Sequence, residues 1–481
     1  GSGFVIKIIV EGEIIRRTKI VCTIGPASSS ESRIKRLIEA GMDVARLNFS
    51  HGTHQEHMES IRKIREISSG LDRHIAILQD LSGPKIRVGE FPDGAVTLKS
   101  KNEFILTSRD VPGNENIASV SYKDLPGEVK KGDTIMLSDG LIQLKVIESD
   151  VSDIRCKVEI GGQLSSHKGI NLPTGTVEIP SLTAKDRNDL ELGIKEEVDL
   201  IALSFVRKAE DIQEVKQIIS NRGASIPVIA KIEKHEAVAN IDGILDTADG
   251  IMVARGDLGV EIPMEDVPAV QKMLVRKSNQ AGKPVITATQ MLRSMVDNPR
   301  PTRAETADVA NAVLDGTDAV MLSEETAVGQ FPVESVRMMS RIAAKIETSV
   351  DFRDAMFIRN LTEGESITEA IGRSAIHIAR QVNAAAIITP TGQGKTARVV
   401  ARYRPLIPIY ALSSNPATLR GLSLVWGVTP IYVDYSTDFN VMMKRTVKTA
   451  VECCFKKGDK LVVTASVPAG GSTNMIKVEV I

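Results

Sequence analysis

From about residue 16 onward, short runs of β-branched and apolar residues alternate with amphipathic stretches, and the alternation repeats eight times. This feature constrains the fold most, because buried strands separated by helical segments assemble into a parallel sheet. Eight βα units in about 250 residues close on themselves as a (β/α)₈ (TIM) barrel. The strands are expected at 19–24, 44–49, 75–79, 200–204, 227–231, 250–254, 284–288 and 319–322. The helices between them carry their own signals. Ser28 with Glu31, and Thr302 with Glu305, read as capping boxes ahead of apolar runs, and Gly41 and Gly316 stand where helix C-caps belong. No internal sequence repeat is evident.

A chain of 481 residues exceeds one ordinary domain. The barrel is expected from 1–87 and 182–350, interrupted by an inserted all-β domain at 88–181 and followed by an open α/β domain at 351–481. The insertion alternates at Ile142, Leu144 and Val146, with turns expected at Asp139-Gly140 and Gly161-Gly162. Because it follows a barrel strand, it belongs on the C-terminal face, where it can act as a lid. In the last region strands are expected at 386–388, 407–411, 429–433 and 460–464.

Charge removes whole classes of partner. With 60 Lys+Arg against 61 Asp+Glu the net charge is -1, so nothing draws the molecule as a whole to nucleic acid or to an anionic membrane. The four cysteines, Cys22, Cys156, Cys453 and Cys454, form no CxxC pair or disulfide framework, which fits a reducing cytosol. No stretch approaches the roughly 18 apolar residues of a membrane helix, and no charged-then-apolar leader is visible. A cytoplasmic location is expected.

In such a barrel, reactive groups lie at the C-terminal ends of the strands. The second strand runs into Arg46-Leu47-Asn48-Phe49-Ser50-His51 and the third into Asp80-Leu81, then Lys85 and Arg87. The fifth carries Lys231 and Glu233, the sixth Arg255-Gly256-Asp257, the seventh Thr289, and the eighth Ser323 and Glu325. Glu233 and Asp257, from adjacent strands, suit a hard divalent ion such as Mg²⁺ or Mn²⁺, which takes few protein ligands and completes its shell with substrate and water. Arg46, Arg87 and Lys231 supply the opposite charge, as phosphoryl transfer requires. Each residue alone also reads as a solvated loop group or a surface ion pair; their convergence on one face is what points to a site. On these residues alone, phosphoryl transfer and a metal-dependent carbon–carbon lyase acting on a 2-oxo acid remain open, as does a non-catalytic metabolite-binding protein.

Longer strings carry a resemblance. KIVCTIGPAS (19–28), ARLNFSHG (45–52), HKGINLP (167–173), MVARGDLGVEIP (252–263), TATQML (287–292) and RPTRAETADVANAVLDG (300–316) together resemble the pyruvate kinase family over nearly the whole chain. Members transfer phosphoryl from phosphoenolpyruvate to ADP, giving pyruvate and ATP in the last step of glycolysis. The resemblance implies that Glu233 and Asp257 hold the divalent ion and that Lys231 stabilises the phosphoryl in flight and the enolate left behind. It implies that Arg46 and Arg87 hold the phosphoryl, and that the backbone at Gly256 and Asp257, with Thr289, holds the substrate carboxylate. Thr289, Ser323 and Glu325 would shape the water relay that protonates the enolate, and Pro26, Asn48, His51 and Lys168 would meet the nucleotide.

The chain departs from the commonest family pattern at Lys85, Leu81 and Glu324, where Glu, Thr and Gly are usual. The first two adjoin Asn48, Ser50 and Asp80, which bind K⁺ in members, so the Lys85 ammonium is expected to replace that ion and K⁺ is expected not to be required. A change at Glu324 bears on the local loop shape alone. Thr391, Gly394, Lys395 and Thr396, with a loop near Ala469 and Asn474, match a turn that binds allosteric phosphate esters in relatives. Gly394-Lys395-Thr396 is not a Walker loop, since Thr389 stands where that motif needs glycine. A phosphorylated effector and a homotetramer are implied by the resemblance.

Overall fold

The computed structural model describes residues 16–481 apart from 176, 350–365, 435, 437, 453–454 and 467–470. Cys453, Cys454 and the expected effector loop at Ala469 therefore lie outside the described residues. Two compact units emerge: one runs to Gln79 and adds Lys195–Ile201 and the chain from Val275 on, and the other comprises Asp80–Ile194 and Ala202–Leu274.

Eight parallel strands close into a barrel in the order Lys19–Ile24, Ala319–Leu322, Val285–Ala288, Gly250–Ala254, Val228–Ile232, Leu200–Leu203, Ala76–Asp80, Val44–Asn48. They are buried almost throughout, as strands covered on both faces must be. Three coincide with the expected spans, and the other five differ by single residues. Pro227 and Pro284 fall outside their strands, since proline has no N–H to give a ladder. The fourth strand stops before Ser204 because Phe205 adopts a left-handed φ of 54°.

The Thr302–Glu305 capping box forms, and Gly41 and Gly316 close their helices at φ 119° and 89°. Ser28 is a correction. The first helix is capped by Ser30, whose hydroxyl accepts from the Arg33 amide. A turn returns the Ser28 amide to the Gly25 carbonyl at 2.9 Å, and the Ser28 hydroxyl oxygen accepts the Gly25 N–H at 3.1 Å, so the helix begins later.

The even-numbered strands share a device that reading for repeats passes over. Asp43, Asp199, Asp249 and Asp318 each directly precede one of them. Their carboxylates accept the backbone N–H of Ile20, Ile77, Val228 and Val285 in the preceding strand, at 2.8, 2.8, 2.8 and 3.1 Å. Their own amides donate back to the carbonyls of the same four residues at 2.9 to 3.0 Å. A cation completes each clasp: Arg16, Arg65, Lys216 and Arg404, all at 2.8 Å. Each even-numbered strand is thereby clasped to the strand before it at the N-terminal rim by charge-assisted bonds.

This clasp has a pH consequence. Burial pushes the Asp43 carboxyl up, but Arg16, Lys19 and the Ile20 N–H outweigh it and hold it below the ordinary 3.8. A depressed carboxylate stabilises the fold above its unfolded pKa, and that contribution is lost as pH falls through the folded value. Asp43→Asn should therefore be less stable than the parent at neutral pH, and the difference should shrink below about pH 4, as read from thermal midpoints against pH.

The insertion holds a six-stranded sheet and a two-stranded one around a core that includes Phe104, Leu106, Leu144 and Cys156. Among its described residues it also holds a short helical turn, Leu125–Glu128. Asp139-Gly140 joins Thr134–Leu137 to Ile142–Ser149 as expected. Gly161-Gly162 instead lets the chain leave one sheet for the other: Gly162–Leu164 pairs with Val96–Leu98, and a Cβ at Gly161 would lie 2.3 Å from the Leu98 carbonyl. The C-terminal sheet runs Val428–Tyr432, Ile409–Ser413, Ala386–Pro390, Lys460–Ala465, Met475–Val480. The last strand, antiparallel and on the edge, is not anticipated from sequence. Among the described residues no helix is long and apolar enough to cross a membrane.

Candidate active site at the strand ends

The unit that begins at Asp80 carries a buried charged cluster. The Lys231 ammonium, at the end of the fifth strand, lies 2.9 Å from Glu233, 3.2 Å from Asp80 and 2.7 Å from the Ser204 hydroxyl. Asp80 and Glu233 are about 99% buried, so one cation is shared by two carboxylates that water barely reaches. The Ser204 hydroxyl donates to the Leu81 carbonyl at 2.6 Å, which leaves its oxygen lone pairs to face the ammonium. The left-handed turn at Phe205 aims its backbone N–H at the second Glu233 oxygen, 2.8 Å away. Gly83, at φ 68°, makes room for this turn: a Cβ there would meet the Phe205 ring at 2.7 Å.

Asp257 lies in the first turn of the helix Arg255–Glu261 that follows the sixth strand. Lys85 reaches it at 3.2 Å and also approaches Asp139 of the inserted region at 3.7 Å. Of the residues expected around a monovalent cation, Lys85 is thus placed against Asp257, while Asp80 is shared with Lys231. Burial, opposed by the Lys231 ammonium and reinforced by the Asp257 charge, pushes the Glu233 carboxyl above its ordinary range. A Glu233 carboxyl pushed up in part by the Asp257 charge marks two carboxylates short of positive charge. Their all-oxygen donor set therefore fits a hard dication.

The other unit carries the second half of the expected residues. The Arg46 guanidinium is fixed by a 2.8 Å bond to the Thr23 hydroxyl and is nearly buried. Thr289, a β-branched residue, stands at φ 69° with Gln290 at 55°, a conformation that costs about 1–3 kcal/mol and concentrates at functional sites. Glu325 is buried and accepts the Leu292 and Ser323 amides at 3.0 and 2.8 Å, yet burial still raises its carboxyl above the ordinary value. The Ser323 hydroxyl is enclosed with no hydrogen-bond partner, a condition that calls for a water or a bound group. Glu324 turns outward to Arg293 at 2.5 Å.

Other expected contacts are surface groups. Pro26, Ser50, His51 and Lys168 are exposed, and the Asn48 carboxamide oxygen accepts the Ser50 amide at 3.2 Å. Arg87 is exposed and donates to the His167 carbonyl at 3.0 Å. Gly256 and Asp257 present the start of a helix. In the C-terminal region the Thr391 hydroxyl accepts the Gly394 amide at 2.9 Å, Gly394 caps the helix Lys395–Arg402 at φ 80°, and Thr396 meets the Thr473 hydroxyl at 2.6 Å.

Reading strand ends from sequence takes nothing from the fourth strand and so misses Ser204 and Phe205. The signal was a hydroxyl directly after an unbroken apolar strand, the same position that Lys231 and Glu233 occupy around the fifth. Glu261, fully buried and bonded to Lys234 and Asn171, is also missed, since a helix-end glutamate in sequence looks solvated.

Comparison with known proteins agrees with this architecture. A family model described as the pyruvate kinase barrel domain matches residues 15–336, and one for the pyruvate kinase alpha/beta domain matches 369–479. A pyruvate kinase of Geobacillus stearothermophilus is 50% identical over 97% of this chain and 80% of its own length. Pyruvate kinase 2 of Synechocystis sp. is also 50% identical, over 97% of this chain and 79% of its own. A crystal structure of a pyruvate kinase from Cryptosporidium parvum superposes with a TM-score of 0.92 at 40% identity, covering 97% of this chain and 96% of the other.

Proposed function

The chain belongs to the pyruvate kinase family, and on that premise we propose that it transfers phosphoryl from phosphoenolpyruvate to ADP, with a divalent ion held by Glu233 and Asp257. The observation that carries this reading is the Lys231 ammonium, held by Glu233, Asp80 and Ser204 at the end of its strand. A positive group so fixed needs no reorganisation as charge develops on the transferring oxygens and on the enolate. A bound Mg²⁺ or Mn²⁺ would neutralise oxygen charge and align the two substrates.

The remaining roles fall to side chains whose environment suits them. Arg46, anchored by Thr23, holds the phosphoryl, and Arg87 supports the same anion. The amides of Gly256 and Asp257, with Thr289, hold the substrate carboxylate. Once the phosphoryl has left, the enolate gains a proton on carbon. Ser323, with its unpartnered hydroxyl, and Glu325, biased toward its neutral form, position the water that delivers it with Thr289. Pro26, Asn48, His51 and Lys168 meet the nucleotide, and the turn at Thr391, Gly394, Lys395 and Thr396 takes a phosphorylated effector. Boundaries at 87/88, 181/182 and 350/351, a homotetrameric assembly, a cytoplasmic location and a place at the last step of glycolysis complete the reading.

Lys85 makes K⁺ unnecessary in this proposal. Its tethered ammonium lies 3.2 Å from Asp257, next to the divalent site. Pyruvate formation from phosphoenolpyruvate, ADP and Mg²⁺ should be robust in tetramethylammonium buffer and should gain little from added K⁺. Lys85→Glu should acquire a K⁺ requirement. Turnover that appears only with K⁺ would keep the kinase and remove this role of Lys85, while product formed without ADP would point to a lyase.

A further inference from the structure

We propose that Glu261 is a positioning residue that sets the separation of the Glu233 and Asp257 carboxylates and ties it to the inserted β region. The inference rests on the reading of those two residues as divalent-ion ligands. Glu261 closes the helix Arg255–Glu261, one turn after Asp257 and on the same face. Its side chain is fully buried. One carboxylate oxygen accepts from the Lys234 ammonium at 2.8 Å and from the Asn171 side chain at 2.8 Å, and the other lies 3.3 Å from the His235 ring nitrogen.

Each partner sits where spacing matters. Lys234 and His235 directly follow Glu233, so the backbone that carries one carboxylate is bonded to the helix that carries the other. Asn171 belongs to the strand Ile170–Asn171, where the inserted region's six-stranded sheet ends. A buried charge pair with both members hydrogen-bonded allows little freedom, because any slide of the helix strips a carboxylate of donors in a place water does not reach. Second partners of this kind orient metal-binding carboxylates.

His235, Glu236 and Glu261 also bring three metal-ligating atoms within 4.8 Å of one another. The Lys234 ammonium already supplies the positive charge there, so the cluster is assigned as a brace for the neighbouring site and not as a second metal centre.

Mn²⁺ binding followed by electron paramagnetic resonance on the full chain tests this. Glu261→Gln should weaken Mn²⁺ by about 10- to 100-fold, with a smaller fall in kcat at saturating Mn²⁺. Asn171→Ala, which removes one bond and spares the ion pair, should shift affinity the same way by less. Lys234→Met combined with Glu261→Gln should be no weaker than the worse single variant, since both break one pair. A lowered melting temperature with unchanged Mn²⁺ affinity in Glu261→Gln and Asn171→Ala would reduce Glu261 to a structural ion pair. Glu233→Gln that binds Mn²⁺ like the parent would overturn the ligand assignment itself, and the proposal with it. A second Co²⁺ site with a nitrogen-ligand spectrum, lost in His235→Gln, would show the cluster to be a metal centre and would also overturn it.

Discussion

Lys231→Met is expected to cut kcat for pyruvate formation by about 10²- to 10³-fold, with KM for phosphoenolpyruvate changing much less. The asymmetry follows from where the charge acts. An ammonium that meets oxygen charge mainly as it develops stabilises the transition state more than the bound substrate, so its loss appears in kcat. Methionine keeps most of the side chain's length and removes the charge, taking away the cation that Asp80 and Glu233 share. Burial already pushes the Glu233 carboxyl up against the Lys231 ammonium, and loss of that ammonium should push it further. Lys231→Arg should not rescue the rate, because a planar guanidinium cannot place one donor toward each of Glu233, Asp80 and Ser204. Steady-state kinetics with a circular-dichroism check of folding decide the matter, and a kcat within tenfold of the parent would remove Lys231 from the chemistry.

Arg404→Leu is expected to lower stability by about 3–5 kcal/mol. The guanidinium is 3% exposed and reaches both Asp318 oxygens at 2.9 and 2.8 Å, the Asn279 side chain at 2.6 Å and the Gly316 carbonyl at 3.0 Å. Leucine would leave Asp318 charged and buried beside only the Val285 and Trp426 amides. Arg404 itself holds a left-handed φ of 49°, a conformation tolerated because these bonds over-determine it. A reporter is in place. The single tryptophan, Trp426, is buried, and its ring lies 5.0 Å from the guanidinium. Urea unfolding followed by its fluorescence should show a lower midpoint for Arg404→Leu, and an unchanged midpoint would mean that the Asp318 clasp does not need its cation.

The two experiments probe opposite rims of one barrel. Asp318 precedes the eighth strand and Ser323 follows it; Asp199 precedes the fourth and Ser204 follows it. Asp199 also takes a cation from the C-terminal region, Arg420 at 2.7 Å, in addition to Arg65. The rim that carries the clasps is thus partly held by the region that follows the barrel in sequence. The opposite rim is left to carry the groups proposed for the chemistry.

Several of these features were legible from residues alone. Periodicity located all eight strands because each is buried on both faces and must be apolar throughout, and the prolines erred by one position only because a missing N–H does not change hydropathy. Thr302 with Glu305, and glycines after periodic runs, located helix ends because capping is local chemistry. Ser28 misled for the same reason inverted: a turn at Gly25 and Pro26 satisfied its hydroxyl before the helix began. The edge strand Met475–Val480 carried too little apolar contrast to be read. Strand ends marked Lys231, Glu233 and Asp257, since ionisable residues after an apolar strand in a closed barrel share one mouth.

What the sequence determined by itself was the eight barrel strands, their order along the chain and the chemical types at each strand end, because those depend on spacing along one chain. The tertiary structure decided which charges share a partner. That Lys231 is divided among Glu233, Asp80 and Ser204, that Lys85 leans on Asp257, and that Glu261 is a buried hub and not a solvated helix end all depend on side chains from distant segments competing for a few donors where water is excluded. Such competition is settled by distance and burial, and neither is a property of the residues taken in order.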